Sequence, residues 1–331
     1  MFIVNSYGLA VFFCFIIMLC WGSWGNTQKL AAKSWRYELF YWDYVIGMVI
    51  FSLLLALTLG TFGPEGRPFF QDIAQADSSA ILSIIIGGVI FNLSNICLSA
   101  STSIAGMSVA FPVGCGLALV LGVINNLRVE MSQGALKSNL TLLAIGVALV
   151  VVAVILNGIA SGKKAGNAEI SKADQRKGII LAVVAGVVMS FFSSFVNMEP
   201  GKVGPYTAIV VFSLAVLVSH FVFGPIFMKW PFQGAPVKMS EYFKGNSKTH
   251  LVGMLGGCIW CLGTALSYIA AGKAGASVSY ALGQGAPMVA AIWGVFVWKE
   301  FKGSNKTVYN LLGMMFLFFI VGLGMIVAAG M

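Results

Sequence analysis

Charge is what this chain has least of. Of its 331 residues, 9% are Asp, Glu, Lys or Arg, where a soluble protein carries about 25%. So few charges cannot hydrate the exterior of a chain this long, which excludes a pair of water-soluble domains. Acids are rarer than bases, 11 against 20, and histidine occurs twice. No HExxH, no paired-aspartate motif and no serine/histidine constellation can be assembled from them, so neither an enzyme nor a metal or cofactor is expected. The six cysteines, Cys14, Cys20, Cys97, Cys115, Cys258 and Cys261, all sit in apolar stretches, where a disulfide framework has no exposed domain to staple. Cys258 and Cys261 have CxxC spacing but lack the two further ligands of a metal centre. A basic n-region is also missing, so the first apolar run reads as a retained helix rather than a signal peptide.

Apolar residues are abundant instead: 59% of the chain, with a mean hydropathy of +0.91. A bilayer core needs about 20 consecutive apolar residues per helix. Ten segments meet that demand, at 6–26, 39–60, 80–100, 104–125, 140–160, 178–198, 204–228, 251–272, 275–298 and 307–329. The fold class expected is an all-α integral membrane protein with ten transmembrane helices. The charge-free stretch between Asp77 and Arg128 is too long for one crossing and is expected to turn near Ser101, Thr102 and Ser103. The 39 glycines, among them Gly114-Cys115-Gly116 and Gly283-Gln284-Gly285, suit close helix packing; no strand or lysine accompanies those two pieces to make a phosphate loop.

With ten crossings, the odd-numbered connections share one side of the membrane. They hold 15 of the 20 Lys and Arg residues, so the positive-inside rule makes them cytoplasmic and turns both termini outward, to the periplasmic face of an inner membrane. Topology thereby accounts for the net charge of +9. No basic stripe interleaved with aromatics is present, and nucleic acid is not expected as a partner.

The chain also repeats itself. At a constant offset of 169, Gly87, Gly88, Ile90 and Leu93 match Gly256, Gly257, Ile259 and Leu262. Ala105, Gly106, Ser108 and Val109 match Ala274, Gly275, Ser277 and Val278, and Gly114 and Gly116 match Gly283 and Gly285. At offset 171, Trp21, Ser23, Trp24 and Asn26 stand against Phe192, Ser194, Phe195 and Asn197. Five spans per half is an odd number, so the second half enters the membrane from the opposite side. The expected organisation is a first five-helix repeat at 1–161, a basic cytoplasmic linker at 162–177 and a second, inverted repeat at 178–331, the architecture of secondary transporters.

A solute crossing such a bundle must meet polar or aromatic groups near the midplane. Counting rise per residue from the expected helix ends places Asn92, Asn95, Trp260, Thr264 and Gln284 roughly 13 to 22 Å deep. Asn92 and Asn95 share a helical face and offer donors and acceptors for hydroxyls or amides; the alternative is that they tie helices together. Trp21 and Trp24, with Phe192 and Phe195 opposite, either wall a cavity or form an interfacial belt. Asn26 and Asn197 accompany them. Asp43 is the one acid inside a crossing, about 10 Å from its start, and is either a proton-coupling group or a helix cap. His220 is a second candidate for proton relay. Glu130 and Glu300 end the fourth and ninth crossings and are expected to snorkel or to pair with Arg128 and Lys299.

At these residues the sequence resembles a known group. Trp21 to Asn26, Tyr41-Trp42-Asp43-Tyr44 and Ser190 to Asn197 are similar to members of the drug/metabolite transporter superfamily. Ala286 to Tyr309, with Pro287, Trp293, Gly294 and Glu300, resembles ureide permeases, and Gly256-Gly257, Trp260 and Lys299-Glu300 resemble the rhamnose/proton symporter and glucose/ribose porter branch. The resemblance implies a ten-helix secondary carrier for small polar metabolites, with helices one, three, four, six, eight and nine around the pathway. Plant ureide permeases move allantoin and related oxo-heterocycles, and the sugar branch moves its solutes with protons. It also implies that Asp43 falls where the family carries a comparable aspartate. The central linker is much shorter than in the plant permeases, so their substrate is not inherited with the resemblance. The expected protein is a proton-coupled permease, a monomer or homodimer, for a sugar or a ureide; the alternatives are a drug or amino-acid exporter, a passive channel or an intramembrane enzyme.

Overall fold

Helix starts follow the short polar side chains. Ser6 accepts the N–H of Leu9 at 3.3 Å and opens α1 (Tyr7–Ser23), which continues past Trp24 into α2 (Gly25–Ala31). After α3 (Tyr37–Leu57) and the short α4 (Phe69–Gln75), Asp77 accepts the N–H groups of Ser79 and Ala80, each at 3.0 Å, and opens α5 (Ser78–Ala105). These bonds satisfy donors that the first helical turn leaves open. Then come α6 (Met107–Ser132), α7 (Leu140–Ala165), α8 (Lys172–Phe195) and α9 (Pro205–Lys229), the last begun by a proline that needs no N–H partner there. After the one-turn α10 (Met239–Tyr242), Asn246 accepts the N–H of Thr249 at 2.9 Å and opens α11 (Ser247–Ala274). The ninth span is broken at Gln284 into α12 (Ala276–Gly283) and α13 (Ala286–Ile292) and ends in a π-helical turn, before α14 (Lys306–Ala329). The computed structural model describes residues 1–32, 35–63, 65–134, 136, 138–165, 172–196 and 201–331, and among them there is no strand.

Ten of these helical segments are long and apolar enough to cross a membrane, in the number and order the hydropathy predicts. One boundary differs. The turn expected at Ser101–Ser103 lies at Gly106, because the hydroxyls bond into helices: Thr102 donates to the Leu98 carbonyl at 2.8 Å and Ser101 to that of Gly178 at 2.7 Å. Only Gly106 supplies the φ of 81° that ends α5, a conformation side chains with a Cβ rarely adopt.

Two helices that the offset of 169 relates have like lengths and like ends. Helices α5 and α11 have 28 residues each. Their caps, Asp77 and Asn246, and their terminating glycines, Gly106 and Gly275, stand 169 positions apart, and the two glycines share φ of 81° and 83°. Neighbours correspond as well: α5 packs on α8 and α9 as α11 packs on α1 and α3, while α3 with α9, α6 with α12 and α7 with α14 join the two halves. The repeated glycines sit at these crossings. A methyl on Gly257 would fall on the Tyr44 carbonyl of α3, and one on Gly88 would lie 2.9 Å from the Phe212 carbonyl of α9. Small residues let membrane helices approach this closely. Large apolar side chains such as Leu54, Phe221, Leu317 and Ile320 face outward, as lipid requires.

Candidate functional site

Where these crossings meet, aromatic side chains from both halves line a cavity of about 40 Å³. Its walls are Trp21 and Trp24 at the end of α1, Phe91, Asn95 and Leu98 on α5, Phe111 and Cys115 on α6, Met189 and Phe192 on α8, Trp260 on α11, and Gln284 and Ala286 at the break in the ninth span. None of these is charged. One water occupies about 10–15 Å³ of such volume, so the cavity has room for about three waters.

Several walls stand 169 positions apart in the chain. Phe91 and Trp260, 169 positions apart, meet across the centre with ring centroids 4.2 Å apart. Cys115 and Gln284 stand at the same offset, as do Asn95 and Thr264. Trp21 lies nearly parallel to Trp260, at 16° and 6.4 Å, and donates its indole N–H to Thr264 Oγ1 at 3.2 Å. Asn95 donates to the Tyr41 hydroxyl at 3.1 Å. Of the residues selected from sequence, Trp21, Trp24, Asn95, Phe192, Trp260 and Gln284 therefore line one cavity. Asn92 and Thr264 are buried but not among its walls: Asn92 Nδ2 donates to the Val216 carbonyl at 3.1 Å and to Ser219 Oγ at 2.8 Å, and its Oδ1 has no partner. Phe195 is half-buried against Gly87, and Asn197 lies outside the described residues. Phe91, Phe111, Cys115 and Met189 were not anticipated; the offset alone points to Phe91 and Cys115, through their partners Trp260 and Gln284.

Phe111 also lines a second cavity of about 30 Å³, with Asn26, Lys29, Asn157, Ser161, Trp298 and Glu300. Here the first and ninth spans are joined by polar contacts: Trp293 Nε1 donates to Ser23 Oγ at 2.9 Å, Trp298 Nε1 to Asn26 Oδ1 at 2.7 Å, and Lys29 pairs with Glu300. Lys29 also lies 4.6 Å over the Trp298 ring. At the opposite end of the ninth span, Glu130 accepts the Ser277 N–H at 3.1 Å and its hydroxyl at 2.6 Å, placing a carboxylate on the start of α12. Nearby, Asn125 and Asn126 donate to the Ser190 carbonyl and to Ser193 Oγ at 3.1 and 3.0 Å. Glu130 is thus neither snorkelling nor paired with Arg128, and Glu300 pairs with Lys29 rather than Lys299. The start of α12 and the end of α2 bring better partners than chain neighbours can.

Asp43 is the seventh residue of α3, too far into the helix to be its cap, and is 0% exposed. Its Oδ1 accepts the Tyr242 hydroxyl at 2.5 Å, and His250 Nδ1 lies 2.8 and 3.0 Å from its two oxygens. Burial, followed by the hydrogen bond to this carboxylate and its charge, pushes the Tyr242 phenol well above its ordinary pKa and keeps it a donor. His220 lies elsewhere. It is wedged between the rings of Tyr41 and Trp42, at 5.0 and 4.4 Å, with neither nitrogen bonded. Neither His250 nor Tyr242 stood out in the sequence, where each reads as an ordinary loop-proximal residue.

Comparison with known proteins agrees with this architecture. The family model described as Ureide permease matches residues 40–177 and 169–329. Ureide permease 1 of Arabidopsis thaliana is 23% identical over 390 aligned positions that cover 99% of both chains, and Ureide permease 2 of the same plant is 22% identical over 99% of both. An L-rhamnose-proton symporter of Yersinia pestis is 24% identical over 57% of this chain and 55% of its own. A solved crystal structure superimposes with a TM-score of 0.59 at 14% identity, covering 96% of each chain, and shares the fold. The multi-pass membrane protein described here belongs to the ureide permease family.

Proposed function

We propose that the protein is a secondary transporter that moves a small neutral polar solute, a sugar or a ureide-type purine catabolite, across the inner membrane by alternating access, with a proton as coupling ion. The observation that carries this reading is the central cavity, uncharged, aromatic and built from both halves of the chain. Rings offer stacking faces, and Asn95 and Gln284 offer amide groups to a solute that brings hydroxyl, carbonyl or amide groups. A charged solute would find no counter-charge there. The names of the relatives, ureide permeases and a rhamnose-proton symporter, support the same solute class and the coupling ion.

Inverted repeats at 1–161 and 178–331 supply the motion. The matched caps, glycines and helix neighbours support equivalence of the halves, so the packing of each can be exchanged for that of the other. The contacts of Lys29, Asn26 and Ser23 with the ninth span close the end that the lysine and arginine distribution makes cytoplasmic. The Glu130 and Asn126 contacts close the other, and each set parts in turn. Asp43, the buried acid, is the coupling group, and both chain ends face the periplasm. Nothing in this cycle needs more than one copy of the chain.

The reading is tested by melting the purified protein with allantoin and with L-rhamnose, then measuring uptake into proteoliposomes under an imposed proton gradient. A cargo at a hundred times its Kd stabilises by about 2.7 kcal/mol. Asp43→Asn should abolish accumulation and spare exchange. Absence of any shift and any uptake for both solutes would retire the assignment.

A further inference from the structure

Asp43 does not line the central cavity, and its route to water is a separate question. Its Cβ packs on Gly253, where a methyl would lie 2.5 Å away, so α11 covers one side. The side chain of His250 is 19% exposed while that of Asp43 is 0%. His250 touches the carboxylate with Nδ1, and its other ring nitrogen, Nε2, faces the loop before α11, where a methyl on Gly245 would lie 2.6 Å from it. A methyl there would also lie 2.4 Å from the Trp35 ring, so only glycine fits beside that nitrogen. Trp35 and Tyr242 hold the imidazole edge-on, with centroids at 5.2 and 4.8 Å. One nitrogen of a single, partly exposed ring therefore meets a buried acid while the other faces the loop.

We infer that His250 is a proton relay connecting Asp43 to the aqueous phase on the side of the 230–246 loop, with glycine at 245 sparing its outer nitrogen a side chain. The inference rests on the reading of Asp43 as the coupling group. In the neutral ring Nδ1 carries the hydrogen and donates it to the carboxylate. A proton from water binds Nε2, Nδ1 releases its own to Asp43, and the histidine ends neutral with hydrogen on Nε2 beside a neutral carboxyl. Run backwards, the same steps return the proton to water. Of the other titratable groups around Asp43, Tyr242 on α10 is a donor only. Of the neighbouring charges, Arg36 pairs with Glu38 at 2.5 Å and Lys244 with Glu241 at 2.6 Å, while Lys238 and Lys248 are exposed. From α9, His220 reaches Tyr41 and Trp42 and makes no hydrogen bond to Asp43.

The test needs protons alone. Infrared difference spectra of the purified full chain after a pH jump report the carboxylic C=O band of Asp43, identified by its loss in Asp43→Asn. His250→Asn keeps an amide donor for the carboxylate but cannot pass a proton. It should slow the rise of the band roughly 100-fold, the scale of a lost acid–base group, while leaving its final amplitude unchanged. His250→Ala should be equally slow and should recover at least half of the wild-type rate when free imidazole is added. Gly245→Ala, which retains the histidine but crowds Nε2, should slow the band without recovering with imidazole. An unchanged rate in His250→Asn, with melting like the wild type, overturns the relay alone. If His250→Asn does not fold, an unchanged rate in Gly245→Ala does so. Absence of an Asp43 band in the wild type would overturn the coupling reading and the relay with it.

Discussion

The two ends of the ninth span meet carboxylates in unlike settings. Glu130 and Glu300 stand 170 positions apart. Glu130 is 6% exposed and holds a backbone N–H and a hydroxyl of Ser277, whereas Glu300 and Lys29 pair with side chains 31% and 41% exposed. The aromatic partners differ in the same sense. Tyr280, 169 positions after Phe111, is pinned by its hydroxyl to the Ala118 carbonyl at 3.2 Å, and Phe111 has no group to pin. Hydrogen bonds to a buried carboxylate contribute about 1.5–3 kcal/mol each; an exposed ion pair contributes about 0–1 kcal/mol. The carboxylate at one end is thus held firmly, and the ion pair at the other adds little to the two tryptophan hydrogen bonds beside it.

Glu130→Ala breaks this contrast most severely. It leaves the Ser277 N–H and hydroxyl without their acceptor and should lower stability by about 3 kcal/mol, read from melting in detergent. Tyr280→Phe removes only the bond to Ala118 and should lose about 1 kcal/mol. Lys29→Ala should lose less than about 1 kcal/mol yet increase the reaction rate of a thiol reagent with Asn26→Cys several-fold. A loss in Lys29→Ala as large as in Glu130→Ala would abolish the distinction between the ends. The smallest effect concerns the paired caps. Bonds from the Ser79 hydroxyl and the Ala80 N–H hold the exposed Asp77 carboxyl below its ordinary pKa. A lowered folded pKa stabilises above the unfolded value and is lost as pH falls through the folded one. Hydrogen exchange at Ser79 and Ala80 should therefore quicken in acid below the usual carboxylate range. Exchange at Thr249, capped by Asn246, should not respond this way, and Asp77→Asn should make the two alike.

Hydropathy alone was enough to count the spans, since ten apolar stretches have no other solvent. The α5–α6 turn was harder to read because serine and threonine stand for turns in water but bond back into helices in lipid. The pairing of Gly106 with Gly275 already carried the answer. Depth along a helix identified residues near the centre but not their direction, so Asn92, which faces α9, ranked beside Asn95, which faces the cavity. His250 is separated from Asp43 by 207 positions, and nothing local in either segment refers to the other. In the sequence Lys29 speaks only to topology, since a loop lysine carries no mark of its eventual partner.

A chamber that holds about three waters is smaller than any metabolite of the class assigned to it. Every cargo must wedge the rings apart as it docks, which subtracts from observed affinity, so tight association and rapid turnover will be found in different compounds. Effective blockers should be molecules too bulky for the rings to close behind them.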